Sequence, residues 1–272
     1  GDSVLYQGKV TAGGMAFAVQ VKVVAPDADI ICNNDGTIAV KNGEDVLILM
    51  SAGTNYDITE SNNINNISDF QTADGDYLNN NDPDGAAAAQ TVADRLNAAA
   101  QKGFAALLKA HMDDYQEIMG RVSLDLGDKE KASLPTDELL TSYKQERSAY
   151  AETLLFQFGR YLLLSSSRDS LPANLQGIWN NSNNPGWNSD YHFNVNLQMN
   201  YWPAFVTNMS ETGMPLVNYM DSLRKPGNVT AREHFGVEKG WVVNTEANPF
   251  GKTAPGNDFS WGFTPGSGAW TC

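Results

Sequence analysis

Lysine and arginine are scarce in this sequence: 18 of them stand against 32 aspartates and glutamates, a formal net charge of −14. Nucleic-acid backbones are held by clustered cations that displace counterions, so no nucleic-acid partner is expected. Cysteine is sparser still. Cys32 and Cys272 are the only two, and neither lies in a CxxC or metal-spaced motif, so no disulfide framework and no zinc site is read. His111, His192 and His234 lie too far apart in sequence to suggest a metal cluster, and no cofactor is expected. Long apolar runs are also missing. The longest candidate, around Leu154 to Leu164, is broken by Gln157, Gly159 and Arg160, and a membrane span needs roughly 18–20 apolar residues. No membrane association is expected. No signal peptide is recognisable either, and Gly1 ahead of strand-like alternation reads as a processed or cloned start.

Periodicity is plentiful. Residues 4–51 read as strands. In Met15 to Val24 the larger apolar residues Met15, Phe17, Val19, Val21 and Val23 recur at every second position, which places them on one face of a sheet. Asn34-Asp35-Gly36 and Asn42-Gly43 are turn signals. The second lies between Thr37–Lys41 and Asp45–Ser51, the arrangement of a two-residue hairpin. A small antiparallel meander ending near Ala52 is therefore expected. Residues 53–85 are polar and rich in Asn and Asp, which suits a long surface connection.

From Ala86 the period changes. Val92, Leu96, Ala99, Leu107, Leu108, Met112, Tyr115 and Met119 are spaced largely by three and four, which predicts a helix weakened or broken at Gly103. Residues 124–134 read as loop. Pro135-Thr136-Asp137-Glu138 opens another helix with Thr136 as its cap, and a further helix carries Leu154, Leu155, Phe158, Tyr161 and Leu162. Helical signals return at about 195–209 and 214–224. Beyond Phe235 the sequence is loop-like and aromatic. Strands first, then a helical connection, then helices in pairs: the class is α+β.

The chemistry-bearing residues are concentrated late. All six tryptophans follow residue 178, and nine asparagines lie between Asn174 and Asn200. A sugar offers apolar C–H faces that stack on aromatic rings, and hydroxyls that both donate and accept hydrogen bonds. Carboxamides do both, so Trp and Asn on loops suit a neutral polyol. The plainer explanation is turn-forming asparagine and core tryptophan, and composition alone leaves the two balanced.

Specific motifs tip that balance. Gly159-Arg160-Tyr161-Leu162, Ser167-Arg168, the run Leu171 to Asn180 (LPANLQGIWN) and the run Asp190 to Pro203 (DYHFNVNLQMNYWP) together resemble glycoside hydrolase family 95. Gly240 to Gly251 (GWVVNTEANPFG) and the stretch from Trp261 to Trp270 fit the same family, and the resemblance covers essentially the whole chain. The family comprises inverting α-L-fucosidases with some α-L-galactosidases. The resemblance implies residues 1–52 as the end of a β-sandwich domain, 53–134 as connection and helical linker, and 135–272 as the opening part of an incomplete (α/α)6 catalytic barrel. It implies Asn194 and Asn196 as a water-positioning pair and His192 as a sugar contact. Gln176, Asn180 and Trp270 stand in matching motifs as further sugar-binding residues. Phe193 departs from the pattern, occupying a place where a smaller polar residue is expected, which leaves fucose against galactose open. Export, by a bacterial-type source, is implied as well, with a fucosylated oligosaccharide or a plant or host glycan as partner.

The amide pair has a chemical limit. An inverting hydrolase needs a protonated acid on the leaving oxygen and a base acting on water across the ring, with the two about 6.5–9.5 Å apart. A carboxamide orients and polarises water but does not take its proton at neutral pH. By resemblance, the acid and the base come from later barrel segments. Among local carboxylates, Asp190 reads as a loop brace and Glu246 as an ion pair or cap. The expectation is an incomplete, inactive piece of a hydrolase whose unfinished apolar faces favour self-association. Two other readings stay open: a non-catalytic carbohydrate-binding protein and a structural remnant without function.

Overall fold

The structure is a computed structural model that describes residues 1–10, 14–58, 82–256 and 262–272. Trp261 and the middle of the predicted 53–85 connection lie outside the described residues. Strands β1 (Ser3–Lys9), β2 (Ala16–Val24), β3 (Asp29–Cys32), β4 (Ile38–Lys41) and β5 (Leu47–Thr54) come first. Helices α1 (Ala86–Met119), α2 (Thr136–Tyr143), α3 (Ala149–Ser166), α4 (Asn196–Val206), α5 (Met214–Ser222), α6 (Arg224–Phe235) and α7 (Ser267–Thr271) follow, with a two-residue ribbon of β6 (Tyr191–His192) and β7 (Glu246–Ala247) among them. The class is α+β. No helix among the described residues is long and apolar enough to cross a membrane.

The chain divides into two compact units. One comprises Gly1–Asp113, Ser222–Trp241 and Pro249–Lys252; the other comprises Asp114–Asp221, Val242–Asn248 and Thr253–Cys272.

In the first unit β2 is the central strand of an antiparallel sheet ordered β1-β2-β5. Ser3 to Lys9 run against Lys22 to Ala16, and Phe17 to Val24 against Thr54 to Leu47. The expected hairpin at Asn42-Gly43 does not form. β4 instead pairs back with β3 across the Asn33–Thr37 turn, where Asp35 Oδ1 accepts from the Thr37 N–H and hydroxyl at 3.0 and 2.7 Å. Four-residue strands satisfy one another, and the eight-residue β5 finds a full-length partner only in β2. Asn42 does take the left-handed φ of 61° that its turn signal predicts. Gly43, however, is pressed so close to Ala28 that a Cβ there would lie 2.7 Å from the Ala28 methyl.

Burial alternates only at the start of β2, where Ala16 and Ala18 are fully buried and not their larger neighbours; further along, Val23 of the larger-residue face is buried. α1 covers that small-residue face. A Cβ on Gly53, the cross-strand partner of Ala18, would meet the Val92 side chain at 3.1 Å. Asp82 starts α1: its carboxylate accepts from the Ala87 and Ala88 N–H groups at 2.9 and 3.0 Å. Those are two of the donors a helix start leaves unpaired, and the negative charge suits the positive end of the helix dipole. Gly103 interrupts α1 with φ 71° and ψ 168°.

Two further differences are local. Pro135, not Thr136, holds the cap position of α2; its carbonyl accepts the first helical bond from Leu139 N–H at 2.9 Å, and Thr136 is the first helical residue. α6 extends through Phe235 where the helical signal was read as ending at 224. Pro226-Gly227 reads as a helix breaker, yet Pro226 falls in the first turn, where a backbone N–H has no helical acceptor. Gly236 at φ 65° ends α6, and Val237 N–H closes on Ala231 O at 3.1 Å.

Candidate functional site

The site belongs to the second unit. α3 leaves at Ser167, and the chain forms the loop from Leu171 to Val195 before α4 begins. Tyr201 on α4 ties the two ends of this loop together. Its hydroxyl accepts from Ala173 N–H at 2.7 Å and donates to Ser167 Oγ at 2.7 Å, because the Ser167 proton goes to Thr212 O at 2.8 Å. Burial pushes the Tyr201 hydroxyl up to about 12 and raises that of Tyr191 further. Tyr191 OH donates to Pro172 O at 3.1 Å.

Within the loop, Trp187, Asn188 and Ser189 take φ values of 52°, 54° and 50°. Three consecutive L-residues in the left-handed region carry strain of about 1–2 kcal/mol each. The chain then straightens. Asp190 is extended, its N–H donates to Trp187 O at 3.1 Å, and its carbonyl accepts from Leu175 N–H at 3.2 Å. Tyr191 and His192 form β6, with His192 opposite Glu246 of β7. Phe193 N–H donates to Thr245 O at 2.6 Å, and the Phe193 side chain is fully buried near Tyr219.

His192 is 5% exposed. Its Nδ1 lies 3.0 and 3.3 Å from the two carboxylate oxygens of Asp190. Asn194 and Asn196 are exposed, and Asn196 opens α4 after Val195, whose apolar side chain provides no cap bond. Gln198 is buried one half-turn further on. Its Nε2 donates to Phe193 O at 2.8 Å and to Thr271 Oγ1 at 3.0 Å, so it holds the end of β6 and the end of α7 against the start of α4. Trp270, next to Thr271, is half exposed.

The other expected contacts are placed differently. Gln176 is exposed. Its Oε1 accepts a very short hydrogen bond from Ser189 Oγ, linking it to the left-handed turn. It also lines a cleft of about 390 Å³ between α3 and the 173–179 segment, with Leu162, Ser166, Trp179 and Asn200 among the walls. Asn180 spends its carboxamide on its own turn, donating to Ser182 O at 2.7 Å and accepting from Ser182 N–H at 3.0 Å. His192, Asn194 and Asn196 thus lead into the start of α4, and Gln198 ties the α7 end, next to Trp270, to that start, while Asn180 is engaged locally.

Two residues that shape this arrangement have roles the sequence did not display. Gln198 gave no signal beyond its place in the motif. For Asp190 a signal existed: two residues apart on an extended backbone, Asp190 and His192 point the same way. Among the described residues no group of three His, Cys, Asp or Glu is placed to hold a metal ion. What the arrangement offers chemically is carboxamides that orient a hydroxyl or a water, and a buried imidazole fixed by a carboxylate.

Residues 103–272 match the glycosyl hydrolase family 95 catalytic domain, and the chain belongs to that family. It is 38% identical over 265 residues to a protein named "Probable alpha-fucosidase A" from Aspergillus niger, covering 94% of this chain and 31% of that protein. It is 37% identical over 191 residues to "Alpha-L-fucosidase 2" of Arabidopsis thaliana, covering 68% of this chain and 22% of the relative. A "Probable alpha-fucosidase A" from Aspergillus oryzae is 34% identical over 229 residues, 81% of this chain and 30% of the relative. The chain spans under a third of the length of these relatives.

Proposed function

We propose that this chain carries the imidazole and amide part of a site that hydrolyses terminal α-L-fucosyl linkages with inversion, and that as 272 residues it binds the sugar without turning it over. The observation that supports this most is the exposure of Asn194 and Asn196 beside buried His192, in a chain 34–38% identical to proteins named α-fucosidases. In this reading the two carboxamides hold and polarise the attacking water, His192 contacts a sugar hydroxyl, and Gln176 and Trp270 extend the binding surface. Residues 1–52 are the end of a β-domain, 53–134 a linker, and 135–272 the opening helices of an (α/α)6 barrel. The substrate is a fucosylated glycan met outside the cell.

The reading that this chain does not turn the sugar over is supported by the chemistry of the groups just named. Neither carboxamide takes a proton at neutral pH, and Asp190 is committed to His192 Nδ1. Two measurements test the proposal. Purified chain mixed with an aryl α-L-fucoside is expected to show binding and no release of the aryl alcohol; turnover above the uncatalysed rate refutes the inactive reading. Isothermal titration with L-fucose and L-galactose, which differ only at C6, separates the fucosidase reading from the galactosidase one. A hydrogen bond to the extra hydroxyl discriminates strongly and an apolar contact weakly. Absence of binding by either sugar refutes the site.

A further inference from the structure

Asp190 makes a specific claim on His192. Its carboxylate, 12% exposed at the side chain, faces Nδ1 with both oxygens within 3.3 Å. The backbone holding it is pinned on each side, to Trp187 and to Leu175, directly after the left-handed turn. An ionised carboxylate only accepts hydrogen bonds, so the nitrogen that faces it carries a proton. A neutral imidazole has one N–H, and placing it on Nδ1 leaves Nε2 as a bare lone pair. Among the described residues, Glu246 is a further charged group, paired with His192 directly across the two-residue ribbon, where paired side chains share a face.

We propose that Asp190 is a positioning residue: it locks His192 as the Nδ1–H tautomer so that Nε2 accepts a hydrogen bond from a sugar hydroxyl. The site then selects a hydroxyl that donates at that point. This rests on the proposed function only for the identity of the ligand; the lock itself is a property of the protein without sugar.

The test uses the ¹⁵N-labelled 272-residue chain at pH 8, above the ordinary histidine range of about 6.5. Long-range ¹H–¹⁵N correlation reads the tautomer of each imidazole, with exposed His111 and His234 for comparison. His192 is expected as Nδ1–H, and L-fucose is expected to shift its Nε2 resonance. Asp190→Asn keeps the shape but offers an amide N–H to Nδ1, so the proton moves to Nε2 and the ring no longer accepts from the sugar. L-Fucose affinity is then expected to fall about tenfold, the equivalent of one lost hydrogen bond at about 1.4 kcal/mol. A merely structural brace predicts unchanged affinity even as the tautomer changes, because Asn still bonds the ring. Wild-type His192 found as Nε2–H overturns the proposal without any variant, and so does a tautomer that Asp190→Asn leaves in place. Fucose that binds without moving Nε2 overturns the ligand part. No fucose binding by the wild type refutes the proposed function, while the sugar-free tautomer still decides the lock.

Discussion

Replacing Arg160 with methionine should destabilise the second unit by about 1–2 kcal/mol. Arg160 is 1% exposed and has no carboxylate partner among the described residues. Its guanidinium instead closes the end of α1, which has no basic residue in its last turn. Nη1 donates to Met119 O at 3.0 Å, Val122 O at 2.9 Å and Gln157 Oε1 at 2.8 Å; Nη2 donates to Ile118 O at 3.3 Å. Ile118 O also accepts from Arg121 N–H at 3.2 Å, so it keeps a partner when the guanidinium goes. Val122 O likewise keeps a donor, Gln157 Nε2 at 3.3 Å. Met119 O is the carbonyl that loses its partner, and an unsatisfied buried acceptor costs about 1–3 kcal/mol. The lower half of that range applies, because Arg160 carries its own penalty: burial pulls its pKa below the usual value, and Nε has no partner. Methionine fills similar length without charge. Urea unfolding followed by tryptophan emission is the appropriate assay, since Trp179, Trp187, Trp202 and Trp270 all lie in the unit that holds Arg160. The midpoint should fall with the slope unchanged. A loss under about 1 kcal/mol, a cost typical of an unremarkable substitution, would refute the view that this arginine terminates α1.

Three other perturbations follow from the same geometry. Trp187 is left-handed and 69% exposed, so Trp187→Asn, which suits that conformation better, should raise stability by about 0.5–1 kcal/mol in the same urea assay; a loss would show that the ring packs. Gly177→Ala should cost about 2–4 kcal/mol and shift tryptophan emission, because φ is 67° and the new methyl would sit 2.7 Å from the Trp179 ring. Alkali should unfold the chain early. The Tyr201 pKa rises from about 10 to about 12 on folding, so its contribution of about 2–3 kcal/mol is complete below pH 10 and lost as pH climbs through 12. Denaturation scans across that range, compared with Tyr201→Phe, check the sign: the variant should show a shallower alkaline loss.

Much of this was written in local pattern. The α1 helix, its break at Gly103 and the extended run of β2 each depend on residues a few positions apart, and each appears where the pattern puts it. Pairing and face do not. Asn42-Gly43 signals a turn correctly, but whether β5 then meets β4 or β2 is decided by strand lengths well beyond that turn. Alternation told the two faces of β2 apart without telling which one α1 covers. The answer was the small one, Ala16 and Ala18, because a helix approaches most closely where side chains are short. At the site, the Asn194 and Asn196 pair was legible as a motif. The Asp190 bond to His192 needed the backbone direction, and Gln198 needed α7 beside it, a contact 73 residues away in sequence. Asn180 shows the converse: its residue type suited a sugar, but its nearest acceptor and donor were both in its own turn.

The turn at Trp187, Asn188 and Ser189 has one more consequence. Its three φ values of 50–54° are the mirror image of an ordinary right-handed helical turn, so the handedness of the amino acids works against the path of the chain there. Residues of opposite chirality would fit it as L-residues fit a helix. A semisynthetic chain with D-residues at these three positions would therefore follow the same path toward Asp190 with less opposition, a place in this protein where inverted stereochemistry is the native-like choice.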